Sequence, residues 1–136
     1  MLRLIAGFEQ VDAGEVRIEE MDIGAPSFGA LASSFRPDLI THAAAQASVP
    51  ASVSDPSLDA EINVVGGINV CRAAIDSGCS QLVYITTGGA LYGTPKYLPC
   101  DEDHPIRPLS PYGLSKWTLE LYMRMLLPVS VRLKVL

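Results

Sequence analysis

Residues 81–89 read Gln81-Leu82-Val83-Tyr84-Ile85-Thr86-Thr87-Gly88-Gly89, an apolar run that ends abruptly in two hydroxyls and two glycines. A short run of β-branched and aromatic residues that stops at glycine predicts a buried strand over Gln81 to Thr87. Before it, apolar residues at helical spacing predict a helix from Asp59 to Ser77, with Gly78 as its C-cap. Strands separated by helices of this length predict parallel βαβ units and an α/β fold.

The rest of the chain continues this alternation of strands and helices. The further predicted elements are a strand (Glu15 to Glu19), a helix stopped by Arg36-Pro37 (Phe28 to Phe35), a strand (Asp38 to His42), a Pro-rich loop (Pro95 to Pro108) and a last strand (Val129 to Leu136). Parallel sheets bind ligands at the carboxyl ends of their strands. Two of those ends fall at His42-Ala43-Ala44-Ala45 and at Thr86-Thr87-Gly88-Gly89.

Composition excludes several classes of protein. The chain has 136 residues, a net charge of −5 and scattered Lys and Arg, so no electrostatic footprint for nucleic acid is present. No apolar run approaches the ~20 residues of a membrane helix, and the N-terminus does not resemble a signal peptide. Three cysteines without C-x-x-C spacing predict reduced thiols and no zinc site. We therefore expect a soluble, cytoplasmic, single-domain protein.

A tyrosine and a lysine lie four residues apart just after a helix start. Ser110 is suited to the N-cap and Pro111 to the first helical position. Tyr112 and Lys116 then share one helix face, where a lysine beside a phenol favours the phenolate, which can take up a proton at neutral pH. The same helix is predicted to bury a stripe of apolar residues: Leu114, Trp117, Leu121 and Met125. Alone, the Tyr-x-x-x-Lys pair is a weak signal.

Five segments in this order make the signal specific: Asp22-Ile23, His42-Ala43-Ala44-Ala45-Gln46, Asn63-Val64-Val65-Gly66, Thr86 to Gly93, and Ser110 to Lys116. Over residues 21–136 the chain resembles the extended short-chain dehydrogenase/reductases, within them the NAD-dependent epimerase/dehydratase family, and most of all the UDP-glucose 4-epimerases. The resemblance implies a partial Rossmann-like, doubly wound parallel sheet. It would lack the first glycine-rich βαβ unit and the C-terminal substrate domain.

The resemblance also implies a cofactor, a substrate and the residues of the chain that contact the cofactor. NAD would contact Asp22 and Ile23 at its adenine and would approach the small residues Ala43, Ala44 and Ala45. Asn63 would contact the cofactor and organise its helix. A UDP-sugar is the implied substrate, a homodimer is one option, and no metal, nucleic acid or membrane is implied.

Tyr112, as phenolate, would remove the proton of the sugar 4-hydroxyl while a hydride passes to the nicotinamide, and the reverse transfer would complete epimerisation. Lys116 would hydrogen-bond the nicotinamide ribose and promote ionisation of Tyr112. The hydroxyl position of the family falls on Gly88, which leaves Thr87 as the nearest candidate and Thr86 as the second. In the 4,6-dehydratases an Asp-Glu pair follows this threonine directly. This chain has Gly88-Gly89 at those positions, so the resemblance favours epimerisation over dehydration.

The first 20 residues depart from the family. No G-x-x-G-x-x-G turn is present, and Leu2 to Ile18 resembles the segment that follows the Walker A motif of ABC-transporter ATPases, without that motif. We therefore expect an atypical segment over residues 1–20, of fused or diverged origin, that supplies a helix and a strand running into Asp22. Three functions stay open: an epimerase, another sugar-nucleotide epimerase or dehydratase, and a non-catalytic Rossmann remnant that binds a partner.

Two histidines and an acidic cluster receive structural interpretations. His42 ends an apolar strand and is expected to be a hydrogen-bonded core histidine. His104, in the Pro-rich loop, is expected to be solvated. Asp101-Glu102-Asp103 has no partner at a useful metal-ligand spacing.

Overall fold

The structure, a computed structural model, describes residues 5–9, 16–20, 22–25 and 27–136. In chain order the elements are β1 (Ile5–Glu9), β2 (Val16–Glu20), α1 (Ser27–Phe35), β3 (Leu39–His42), α2 (Val49–Ser54), α3 (Pro56–Ala60), a π-helical segment (Glu61–Val65), α4 (Gly66–Ser77), β4 (Gln81–Tyr84), α5 (Gly88–Tyr92), α6 (Pro111–Leu126) and β5 (Arg132–Val135).

The strands form one sheet in the order β2-β1-β3-β4-β5. β3, β4 and β5 are parallel, with Leu82 between Ile40 and Leu133 in register. This is the predicted α/β fold of a partial Rossmann type, with parallel strands linked through helices. β1, however, runs antiparallel to both β2 and β3, so the sheet is mixed.

The first 20 residues correct one prediction and confirm another. The predicted strand within Glu15 to Glu19 is present as β2, but Ile5–Glu9 is a strand where a helix was expected. The backbone of β1 hydrogen-bonds the edge of β3, which would otherwise be unpaired, and this pairing prevails over the helical prediction. The other positions of this segment, 1–4 and 10–15, lie outside the described residues.

Helix ends follow the predicted signals. α1 ends at Phe35 before Arg36, whose φ of 48° leaves the right-handed helical region, and Pro37 follows. Gly78 closes α4 in the left-handed conformation with φ 75°. Ser110 caps α6, where its Oγ accepts from the Gly113 N–H at 3.1 Å. The sequence did not predict the short helices α2 and α5, and it predicted a single helix where α3, the π-helical segment and α4 follow one another.

The core lies between β3, β4 and the helices α4 and α6. Its most deeply buried side chains include Ile40, Leu82, Tyr84, Val70, Ala74, Leu119 and Met123. The predicted buried stripe of α6 was therefore wrong: Leu114, Leu121 and Met125 are exposed and Trp117 is half-buried. α6 instead buries Ser115, Lys116, Leu119, Glu120 and Met123. Ser115 and Lys116 have hydrogen-bond partners inside the fold, and Glu120 pairs with Arg124 on the same helix.

No helix in the described part of the chain is long and apolar enough to cross a membrane. Within the same residues, no cluster of three His, Cys, Asp or Glu side chains could hold a metal ion.

The three free thiols are expected to differ in reactivity. Cys71 and Cys79 are buried, whereas Cys100 is partly exposed in the Pro-rich loop. Burial raises the pKa of Cys71 to about 11 and also raises the pKa of Cys79, and only the thiolate is nucleophilic. A chromogenic thiol reagent at neutral pH should therefore react quickly with Cys100 alone, and with the other two after urea unfolding. Cys100→Ser should remove the fast phase; fast reaction of Cys71 or Cys79 in the folded protein would contradict this.

Candidate active site and cofactor cavity

Lys116 is held at the carboxyl end of β4. Its Nζ donates to the Ile85 carbonyl at 2.7 Å and lies 4.4 Å from the centroid of the Tyr84 ring, a cation–π contact. Only 2% of its surface is exposed, and burial lowers the pKa of Lys116 to about 8. The Tyr84 hydroxyl donates in turn to the Lys116 carbonyl at 3.1 Å, so backbone and side chain of Lys116 are both fixed to this strand.

Tyr112 lies one turn earlier on α6 and is half-buried. The pKa of Tyr84 is raised well above its ordinary value, chiefly by burial and next by the nearby phenol of Tyr112. Tyr112 thus lies close enough to the end of β4 to act electrostatically on Tyr84. The structure brings the two predicted catalytic residues, Tyr112 and Lys116, to the same strand end.

Gly113 allows α6 to approach α5 closely. A Cβ at this position would lie 2.4 Å from the Ala90 carbonyl oxygen and 3.1 Å from the Pro108 Cβ. Because a backbone carbonyl cannot turn away as a side chain can, only glycine fits beside Tyr112. Gly113 is therefore a residue of the site that was not predicted from the sequence, although it lies within the Ser110 to Lys116 motif.

The two candidate hydroxyls lie where β4 ends. Thr87 is the N-cap residue of α5 but makes no capping hydrogen bond with its side chain. Thr86 has a buried Oγ1, and its N–H donates to the Leu136 carbonyl at 2.8 Å. Of the two, Thr87 lies nearer to Tyr92, because it immediately precedes the helix α5 that ends at Tyr92.

A cavity of about 400 Å³ opens beside the end of β3. Its lining residues are Asp22, Ile23, Gly24, Ala44, Ala45, Gln46, Leu58, Glu61, Ile62 and Gly66. Four predicted cofactor residues are among them: Asp22, Ile23, Ala44 and Ala45. Ala43 is exposed outside the lining, and Asn63 is buried beneath it.

The loop that carries Asp22 is fixed by local hydrogen bonds. The Asp22 Oδ1 accepts from the Gly24 N–H at 2.8 Å, while Asn69 Nδ2 donates to the Ile23 carbonyl at 3.2 Å. Ile23 packs so closely on α4 that a Cβ on Gly66 would lie 2.6 Å from its Cδ1. The volume suits a nucleoside-sized group, and small side chains on the β3 side leave its backbone accessible.

Both histidines depart in part from their predictions. His42 is buried and stacks on Tyr84, as expected of a core histidine, but no described residue hydrogen-bonds its Nδ1. Burial, assisted by the charge of Lys116, lowers the pKa of His42 to about 3, so the ring is neutral. His104 was predicted to be solvated and this was wrong, because it folds inward against Tyr92 and accepts from the Lys96 N–H at 3.0 Å.

Comparison with known proteins agrees with this geometry. The model of the NAD dependent epimerase/dehydratase family matches residues 3–126. The chain belongs to this family. Among curated members of the family, it is 47% identical over 88 residues to a putative UDP-glucose 4-epimerase of Methanocaldococcus jannaschii, covering 65% of this chain and 29% of that protein. It is 44% identical over 95 residues to the UDP-glucose 4-epimerase of Mycolicibacterium smegmatis, covering 70% and 30%.

Solved structures of the family superpose on the chain. The Thermus thermophilus UDP-glucose 4-epimerase, determined in complex with NAD, has a TM-score of 0.73 at 41% identity and covers 77% of this chain and 34% of its own. The Thermotoga maritima UDP-glucose 4-epimerase, determined with UDP-glucose, has a TM-score of 0.73 at 30% identity and covers 85% and 40%. The chain thus spans well under half the length of these relatives.

Proposed function

We propose that this chain binds NAD in the cavity beside β3 and takes part in NAD-dependent 4-epimerisation of a UDP-sugar such as UDP-glucose. The observation that carries the proposal is the position of Lys116, buried at the end of β4 with Tyr112 one turn away. The relatives named above are UDP-glucose 4-epimerases, and one was determined with NAD and another with UDP-glucose.

The cavity has the properties that the adenosine part of a dinucleotide requires. Asp22 offers an exposed carboxylate and Ile23 an apolar wall, which suit the polar and apolar parts of an adenosine. Ala44 and Ala45 are small enough for close approach to the backbone at the end of β3. Asn63 supports this wall from below through two hydrogen bonds to the backbone of Gln46, rather than by lining the cavity.

The protein's own contribution to the reaction is to position and move a proton. NAD, when bound, supplies a reversible hydride acceptor. Tyr112 accepts the proton of the sugar 4-hydroxyl and returns it to the 4-keto oxygen when epimerisation is completed. Lys116, with a pKa of about 8, is mostly cationic at neutral pH, and its charge favours the phenolate of Tyr112. Thr87 orients the same sugar oxygen.

Epimerisation is preferred over dehydration because Gly88 and Gly89 follow Thr87. An elimination needs an additional acid and base near the sugar, and neither glycine supplies one. Other sugar-nucleotide epimerisations use the same proton transfer, so the identity of the sugar is part of the test.

The test is an interconversion assay with UDP-glucose and UDP-galactose, with NAD present, using the full chain. Turnover above a no-protein blank supports the proposal, and UDP-N-acetylglucosamine in parallel reports the choice of sugar. NAD binding without turnover of either sugar would instead support the alternative, a non-catalytic Rossmann module.

We further propose that the chain forms a homodimer through α6. Leu114, Leu121 and Met125 lie along one exposed face of this helix, an apolar stripe that a second copy can cover by twofold symmetry. Met125→Lys, at a residue 84% exposed, should convert a species of twice 14.5 kDa into a monomer in light scattering. Leu98→Lys, 79% exposed in the Pro-rich loop, is the matched control and should stay dimeric. A monomeric wild type would contradict the proposal.

A further inference from the structure

A buried carboxylate lies at the centre of a hydrogen-bond network behind the catalytic helix. Asp59 is 1% exposed, and its Oδ2 accepts from the Ser115 Oγ at 2.6 Å. Its Oδ1 accepts from Gln46 Nε2 at 2.9 Å and from Asn63 Nδ2 at 3.0 Å. Both carboxylate oxygens are therefore paired, as a buried charge requires.

The partners of Asp59 belong to the two halves of the candidate site. Gln46 lines the cavity beside β3, and Asn63 holds its backbone through bonds at 2.8 and 3.0 Å. Ser115 is the residue next to Lys116 and lies three positions after Tyr112 on α6. Asp59 thus joins the wall of the cavity to the helix that carries the tyrosine and the lysine.

The local backbone directs these side chains towards one another. Glu61–Val65 forms a single π-helical turn between α3 and α4. A π-helical turn contains an additional residue per turn, and such turns are frequent at functional sites. Asp59 and Asn63, on either side of the start of this turn, both face the network and are bonded to each other. The sequence could not have predicted this turn, because its residues fit a regular helix.

We propose that Asp59 is a positioning residue: through Ser115 it fixes α6, and with it Tyr112 and Lys116, relative to the cavity wall at Gln46. Its importance for turnover rests on the proposed function, whereas its effect on the position of α6 does not. Four single variants test it. Asp59→Asn and Ser115→Ala weaken the link, Ser115→Thr retains the hydroxyl, and Asp76→Asn makes the same change on the exposed side of α4.

The first readout is the pKa of Lys116. It is measured by NMR during a pH titration of protein with isotope-labelled lysines. The chain has three lysines, so Lys96→Arg and Lys134→Arg assign the signals. In the wild type, Lys116 should titrate near its lowered pKa of about 8, because it is buried. In Asp59→Asn and Ser115→Ala its pKa should rise towards the ordinary value as α6 shifts and water reaches the amine.

The direction of this change distinguishes positioning from simpler effects. Loss of a neighbouring negative charge would lower the pKa of a lysine, so a rise reports movement rather than charge. Ser115→Ala changes no charge at all and should act in the same direction. Ser115→Thr and Asp76→Asn should titrate as the wild type does. A purely structural role would lower the free energy of unfolding in urea and leave the native titration of Lys116 unchanged.

The second readout is NAD affinity and sugar turnover of the same variants. A displacement of about 1 Å at a catalytic group can cost about 100-fold in rate, so Asp59→Asn should reduce turnover by that order. If wild type binds no NAD, the proposed function fails, but the Lys116 titration still decides the role of Asp59. An unchanged Lys116 titration in folded Asp59→Asn and Ser115→Ala would overturn the inference.

Discussion

Tyr112→Phe is expected to lower the interconversion rate by about 10²- to 10⁴-fold, the usual contribution of a general base. The substitution removes the oxygen that accepts the proton but keeps the aromatic ring. The affinity for NAD should therefore change little, and the decrease in the interconversion rate should appear as a decrease in kcat. Initial rates with UDP-galactose, together with a binding isotherm for NAD, measure the two quantities separately.

A matched control for this variant lies on the same helix. Tyr122 is exposed on α6, ten residues after Tyr112. Tyr122→Phe makes the same chemical change away from the strand ends and should leave the rate unaltered. Retention of more than about a tenth of the wild-type rate in Tyr112→Phe, against the 10²-fold minimum expected of a base, would assign the proton transfer to another group.

Gly113→Ala is expected to damage both stability and turnover, although it adds only one methyl group. The added methyl would lie 2.4 Å from the Ala90 carbonyl oxygen, so α6 must move away from α5. Overpacking of this kind costs about 1–3 kcal/mol in the free energy of unfolding. Because Tyr112 moves with the helix, turnover should also fall by about 100-fold. Urea unfolding and initial rates measure the two effects.

Gly29→Ala is the control for a glycine in a helix. Gly29 lies in α1, and a Cβ there would meet no atom within 4 Å. Alanine is favoured over glycine inside a helix by about 1 kcal/mol, so this variant should be slightly more stable than the wild type. Equal stability of Gly113→Ala and Gly29→Ala would contradict the close approach of α6 and α5.

The sequence predicted the fold class and the family because those depend on local signals. Apolar runs that end in glycine and the N-cap at Ser110 both act over a few residues, and β4 and α6 begin where these signals placed them, although β4 ends at Tyr84 and not at the predicted Thr87. The antiparallel strand Ile5–Glu9 was not predicted, because its formation depends on pairing with β3, about 30 residues further along the chain.

The site was predictable where it follows a motif and not where it depends on packing. Tyr112 and Lys116 share the predicted helix, but the prediction of which face of α6 is buried was wrong. Apolar periodicity alone could not show that Lys116 and Glu120 are buried with partners, the Ile85 carbonyl and Arg124. His104 was misassigned for the same reason, since its contacts with Tyr92 and Tyr97 form only when the loop folds. The cytoplasmic location and the separate origin of residues 1–20 stay predictions.

The most direct test of the central claim, NAD binding beside β3, is a calorimetric titration of the full chain with NAD at neutral pH. The cavity lined by Asp22, Ile23, Ala44 and Ala45 predicts saturable, stoichiometric binding. No heat of binding up to millimolar NAD, from a sample shown to be folded by circular dichroism, would contradict it.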